Sequence, residues 1–92
     1  MMRKLLVAFA LALPALAAAV DANSGNRAQL EQLRGIGPPL AEAMLAERER
    51  NGAYKDWADL MSRVRGIRDA KARALSAAGL TVGGAPYEAP TR

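Results

Sequence analysis

The sequence predicts a small all-α fold of four to five short helices arranged as two helical hairpins, and three observations lead to it. The segment Leu33-Arg34-Gly35-Ile36 recurs as Val64-Arg65-Gly66-Ile67, 31 positions later. The residues that follow keep the same offset, Ala41 matching Ala72, Ala43 matching Ala74 and Met44 matching Leu75. Helix start and stop signals flank both copies. A duplicated unit of helix, tight turn and helix implies two hairpins about a pseudo-twofold axis, with Asn51 to Asp56 as their connector.

Taken in order, residues 1–19 read as a secretory signal peptide. Arg3 and Lys4 supply the positive start, Leu5 to Leu16 the apolar stretch and Ala17-Ala18-Ala19 the small-residue cleavage region, with Pro14 ending the apolar helix. The competing reading is an uncleaved anchor, but the run is shorter than the roughly 20 apolar residues a spanning helix needs, which favours cleavage. No cysteine is present to carry a lipid. The expected mature chain therefore starts at Val20.

Residues 20–82 are expected to form the folded domain. After a polar lead-in from Asp21 to Gly25, Asn26 and Gln29 have the spacing of a capping box that opens a helix through about Leu33. Gly35 stops it. Pro38 and Pro39 suit the first turn of a second helix, which runs to about Arg50 and ends at Asn51-Gly52. Ala41, Met44, Leu45 and Arg48 fall on one stripe of that helix; Glu42, Glu47 and Glu49 fall off it and read as a solvated face, with Glu47 and Arg50 spaced as an i,i+3 pair. Asp56 caps a short third helix carrying Trp57, Leu60 and Met61, and a fourth runs from about Asp69 to Ala78, closed by Gly79. Residues 83–92, with Gly83, Gly84, Pro86 and Pro90, read as a flexible tail.

Composition narrows the function. A domain this short buries only about 60% of its unfolded surface, and it has no cysteine to staple itself, so packed helices must hold it. The absence of histidine and cysteine removes the usual transition-metal ligands and the common nucleophile–base pairs, so neither an enzyme nor a cofactor is expected. Of 13 basic residues two, Arg3 and Lys4, lie in the leader, and eleven then face nine acidic ones. That balance alone implies no nucleic-acid partner. The distribution does: Arg63, Arg65, Arg68, Lys71 and Arg73 cluster within eleven positions beside a single acid, Asp69.

One set of residues carries a specific resemblance. Asn23-Ser24-Gly25, Leu30, Leu33-Arg34-Gly35-Ile36-Gly37-Pro38, Arg48-Glu49-Arg50-Asn51-Gly52-Ala53-Tyr54, Asp59-Leu60 and Val64-Arg65-Gly66-Ile67 together resemble the tandem helix-hairpin-helix domain, SAM-like in arrangement, of the ComEA-like competence proteins. The match covers roughly Val20 to Val82, with hairpins at 33–38 and 64–69. It implies a periplasmic or secreted protein that binds double-stranded DNA without sequence preference during DNA uptake, probing the minor groove and meeting other proteins of the uptake machinery.

The resemblance implies DNA contacts at Arg34, Gly35, Ile36 and Gly37 in the first hairpin and at Arg65, Gly66, Ile67, Arg68 and Lys71 in the second. The physical basis is general. Glycines permit a turn that side chains would crowd, and the unpaired N–H groups opening the following helix form an anion site. Ile36 and Ile67 are expected to tuck inward and fix the loop. The sequence departs from the family in two ways: Pro39-Leu40 stands where a lysine is common, and Arg68 replaces the second glycine, which puts that turn's geometry in question. The expectation is a division of labour, with amide donors at the first hairpin and side-chain cations at the second.

Other readings stand beside this one. Helix-hairpin-helix pairs also dock proteins, so a secreted interaction module without DNA binding is the alternative, and an accessory to a nuclease acting in trans is a third. Arg63 and Arg73 have nearby acids with which to pair. Trp57 and Tyr54 sit at the connector rather than beside the turns, which favours core residues over base-stacking platforms.

Overall fold

The computed structural model of the protein describes residues 19–89, and its first helix opens on the cap that the sequence predicts. Asn26 Oδ1 accepts from the Gln29 amide at 2.8 Å and Gln29 Oε1 accepts from the Asn26 amide at 2.9 Å, which satisfies two first-turn donors reciprocally. This helix, α1, spans Arg27–Gln32. Pro38 and Pro39 open α2 (Pro38–Asn51). The Asp56 carboxylate caps α3 (Trp57–Arg63) by accepting from the Asp59 amide at 2.8 Å. The fourth helix, α4 (Asp69–Ala78), ends at Gly79. The expected signal peptide lies outside the described residues, apart from residue 19, as do residues 90–92. Among the described residues no helix is long and apolar enough to cross a membrane.

Burial follows the repeat. Leu33 and Val64, Ile36 and Ile67, Ala41 and Ala72, and Met44 and Leu75 are all buried, while Ala43 and Ala74 both face outward. Two copies of one apolar pattern thus pack into a single core, completed by Leu30, Leu60 and Leu80.

The connector is anchored by polar groups. Tyr54, 2% exposed, donates its hydroxyl to the Met44 carbonyl at 2.7 Å, and its backbone exchanges two hydrogen bonds with the Asn23 side chain. The Arg63 guanidinium lies 4.3 Å from the Tyr54 ring centroid, pairs with Glu47 and Asp59 at 3.0 Å each, and donates to the Gly52 and Ala53 carbonyls. Arg63 is therefore a structural tie, as its acidic neighbours suggested. Glu47 departs from the solvated face expected for it: the last turn of α2 packs beside α3, and its side chain, 16% exposed, is held by Arg63 and Asn51. Its spacing to Arg50 gives a loose pair at 3.9 Å. Glu42 stays exposed and pairs with Arg27. Arg48, on the apolar stripe, turns its head to the carbonyls of Ala22 and Gly25 and so fixes the lead-in.

Two features lie outside the all-helical expectation. Val20–Asp21 (β1) and Leu80–Thr81 (β2) pair in parallel, Val20 with Leu80 and Asp21 with Thr81. The flexible tail expected from Gly83 needs correcting as well. Gly83 and Gly84 both have positive φ, 62° and 83°, and reverse the chain so that Val82 and Ala85 exchange backbone hydrogen bonds at 3.0 and 3.1 Å; paired positive φ values favour glycine-glycine in such a turn. Asp21 ties the two features together, accepting from the Thr81 hydroxyl at 2.7 Å and the Gly84 amide at 2.8 Å. Burial alone would raise its pKa, but these hydrogen bonds outweigh burial and hold the carboxyl below its ordinary value.

Candidate nucleic-acid interface

The two hairpins repeat one backbone conformation. Gly35 and Gly66 have φ of 100° and 97°, values that L side chains rarely adopt. The following N-cap positions are extended, with φ and ψ of −91° and −178° at Gly37 and −112° and −172° at Arg68. Any residue can adopt that conformation, so Arg68 occupies the second-glycine position without altering the turn. Alanine substitutions should separate the two glycine roles. Gly66→Ala meets nothing within 4 Å, so it costs only backbone strain, about 1–2 kcal/mol. Gly35→Ala adds a Cβ 3.1 Å from Leu75 Cδ2 and should cost about 1 kcal/mol more, read by urea unfolding.

Ile36 and Ile67 are 3% and 1% exposed. Their side chains fix the turns from inside, as expected, and neither residue offers more than a trace of surface. At the first hairpin the Ile36 amide is already donated to the Leu33 carbonyl at 3.1 Å.

The amide half of the expected division of labour is overturned: the second hairpin holds more of the free amides as well as the side-chain cations. First-turn amides have no intrahelical partner, and neither Gly37 nor Arg68 makes a side-chain cap. At the first hairpin, however, N1 and N2 are Pro38 and Pro39, which have no N–H to offer. Only Gly37 and Leu40 supply amides there. The second hairpin presents the amides of Arg68, Asp69, Ala70 and Lys71, and it also carries more charge.

Arg34, Arg65 and Arg68 are exposed and form no ion pair among the described residues. Lys71 is placed differently: its Nζ donates to the Gly35 carbonyl at 2.8 Å. A residue from the second repeat thus ties off the first hairpin and brings the two turns together. Arg73 pairs with Asp69 at 2.8 Å. Asp69 also accepts from the Tyr87 hydroxyl at 2.6 Å; Tyr87 first and Arg73 second hold its carboxyl below the ordinary range. Beside this hairpin runs a groove of about 820 Å³ whose apolar wall includes Trp57, Met61, Ile67 and Pro86.

Sequence reasoning missed the Lys71 tie, the Tyr87 contact and the shortage of amides at Pro38-Pro39. Only the last had a signal in the sequence, since proline's missing donor needs no coordinates to see.

Compared with known proteins, residues 17–78 match the family model described as the helix-hairpin-helix motif. The match takes in both hairpins and ends with α4. No curated protein and no solved structure shows significant similarity. The matched span covers most of the chain, and the duplicated turns with buried isoleucines are the structural form of that motif. The chain belongs to the helix-hairpin-helix motif family.

Proposed function

We propose that the protein is an exported, non-sequence-specific double-stranded DNA-binding module that grips phosphates chiefly with its second hairpin. The observation that carries this reading is the coincidence at residues 65–71 of outward Arg65 and Arg68 with four first-turn amides opening a ten-residue helix. Amide donors, the positive end of the helix dipole and unpaired guanidinium groups all favour a phosphate oxygen there. The first hairpin, with Arg34 and fewer amides, contributes a weaker contact to the opposite strand, across the minor groove. The N-terminal leader supports a periplasmic or secreted location, and the ComEA-like pattern supports capture of incoming DNA during uptake as the biological role, with binding rather than catalysis as the activity.

Fluorescence anisotropy of residues 20–92 with a labelled mixed-sequence duplex, over a salt series, tests the proposal. About four to six phosphate contacts give micromolar affinity and a log–log salt slope near −0.9 per contact. A Gly37→Asp variant checks the first hairpin's share. The new N-cap carboxylate adds a few tenths of a kcal/mol of stability, fits the extended backbone before Pro38, occupies the Leu40 amide and repels a phosphate there. Affinity should fall about threefold to tenfold, on the order of 1 kcal/mol, with no loss of melting temperature.

One observation favours a second reading, a secreted protein-interaction module: Pro38 and Pro39 make the first hairpin's tip apolar and poor in donors. A folded protein that retains no duplex even at low salt would select it.

A further inference from the structure

The segment after β2 returns along the second hairpin and is held by side chains of two helices, α3 and α4. Trp57 Nε1 donates to the Ala85 carbonyl at 2.9 Å, and the Tyr87 amide donates to Ser76 Oγ at 2.9 Å. The Tyr87 ring lies against Trp57 with centroids 5.3 Å apart. Its hydroxyl reaches Asp69 Oδ1 at 2.6 Å, while Arg73 Nε takes Oδ2 at 2.8 Å. Both carboxylate oxygens are thereby engaged on the side of Tyr87 and Arg73.

The position of Asp69 gives this arrangement its consequence. It is the first residue of α4, immediately after Arg68, and so stands among the amides and the cation that a phosphate would use. A carboxylate free to rotate there is drawn to the same helix N-terminus and the same guanidinium. It would compete with a phosphate for those donors and repel it. We infer that Tyr87 is a positioning residue for the second hairpin: its hydroxyl, together with Arg73, holds the Asp69 carboxylate aside, so that the C-terminal segment sets how well this hairpin accepts an anion. The inference rests on the phosphate-binding reading above and adds a segment that the helix-hairpin-helix match, ending at residue 78, does not include.

Tyr87→Phe tests it, because the ring can remain on Trp57 while the hydroxyl is lost. Three results are expected of this variant: an unchanged fold by circular dichroism, an Asp69 carboxyl that titrates at higher pH by NMR, and duplex DNA binding weakened about threefold to tenfold. Asp69→Asn should bind at least as tightly as wild type, and adding Tyr87→Phe to it should change nothing further, since no carboxylate remains to be held. Equal weakening by Tyr87→Phe in both backgrounds would overturn the proposal by showing that the hydroxyl acts through packing. Wild-type affinity in the single variant would overturn it too and leave the phosphate reading standing. A wild-type protein that binds no duplex at low salt would remove both.

Discussion

Replacing Arg65 and Arg68 together by alanine is expected to weaken duplex binding about a hundredfold at low salt and to reduce the log–log salt slope by about 1.8. The affinity figure follows from two charge-assisted contacts worth roughly tenfold each, the slope from two phosphates left unneutralised. The fold should survive. Both side chains are exposed and make no ion pair among the described residues, and Arg68 caps α4 with its backbone only. Stability should therefore stay within about 0.5 kcal/mol. Arg50→Ala supplies the control for net charge: Arg50 is also exposed, on α2, with only a loose partner in Glu47. If DNA is held at the hairpins, Arg50→Ala changes affinity less than about twofold. A loss comparable to that of a hairpin arginine would mean that the DNA follows overall charge instead, and the assignment to the second hairpin would fail.

The parts of this fold that were legible in the sequence are those fixed by local chemistry or by the repeat. The Asn26–Gln29 box, the Asp56 cap and the Pro38-Pro39 start act within one helical turn, so residue type and spacing suffice to find them. The 31-residue repeat carried the core as well, because equivalent apolar positions had to occupy equivalent places. Long-range polar contacts were not legible. Nothing local to Lys71 says that its ammonium will reach Gly35, 36 positions away, and nothing local to Glu47 says that Arg63 will fold onto it. The Gly83-Gly84 turn is not legible for a related reason: two glycines suit a flexible tail and a tight reversal equally well, and the choice is made by Asp21, at the other end of the domain's sequence. The amide shortage at the first hairpin is a different case. Pro38 and Pro39 are good helix openers, but the same missing N–H that makes them harmless there also removes the donors a phosphate would need.

Trp57→Ala should have the largest effect on stability, about 3–5 kcal/mol, seen as a fall of roughly 15–30 °C in the circular dichroism melting temperature. Trp57 is the sole tryptophan of the sequence, 6% exposed, at the first position of α3. Its own helix and the C-terminal segment meet on it: the Ala85 carbonyl accepts from its indole N–H and the Tyr87 ring lies against it. Truncation opens a cavity beneath the second hairpin and also releases the C-terminal segment, so the two losses should exceed that of a methylene-scale core change. A domain of about 70 residues has only about 4–10 kcal/mol of stability in total, so the variant should be substantially unfolded near 37 °C. The alternative role, a platform on which bases stack, predicts the opposite pattern: an unchanged melt with weakened nucleic-acid binding. Trp57→Phe sharpens the comparison. It keeps an aromatic ring in the core but removes one of the two donors to the Ala85 carbonyl, which retains the Val82 amide, so it should cost about 1 kcal/mol. A stacking platform would tolerate that exchange with little change in either property. A graded loss of stability from phenylalanine to alanine, with DNA affinity per folded molecule preserved, would place Trp57 in the framework that supports the second hairpin rather than in the surface that meets DNA.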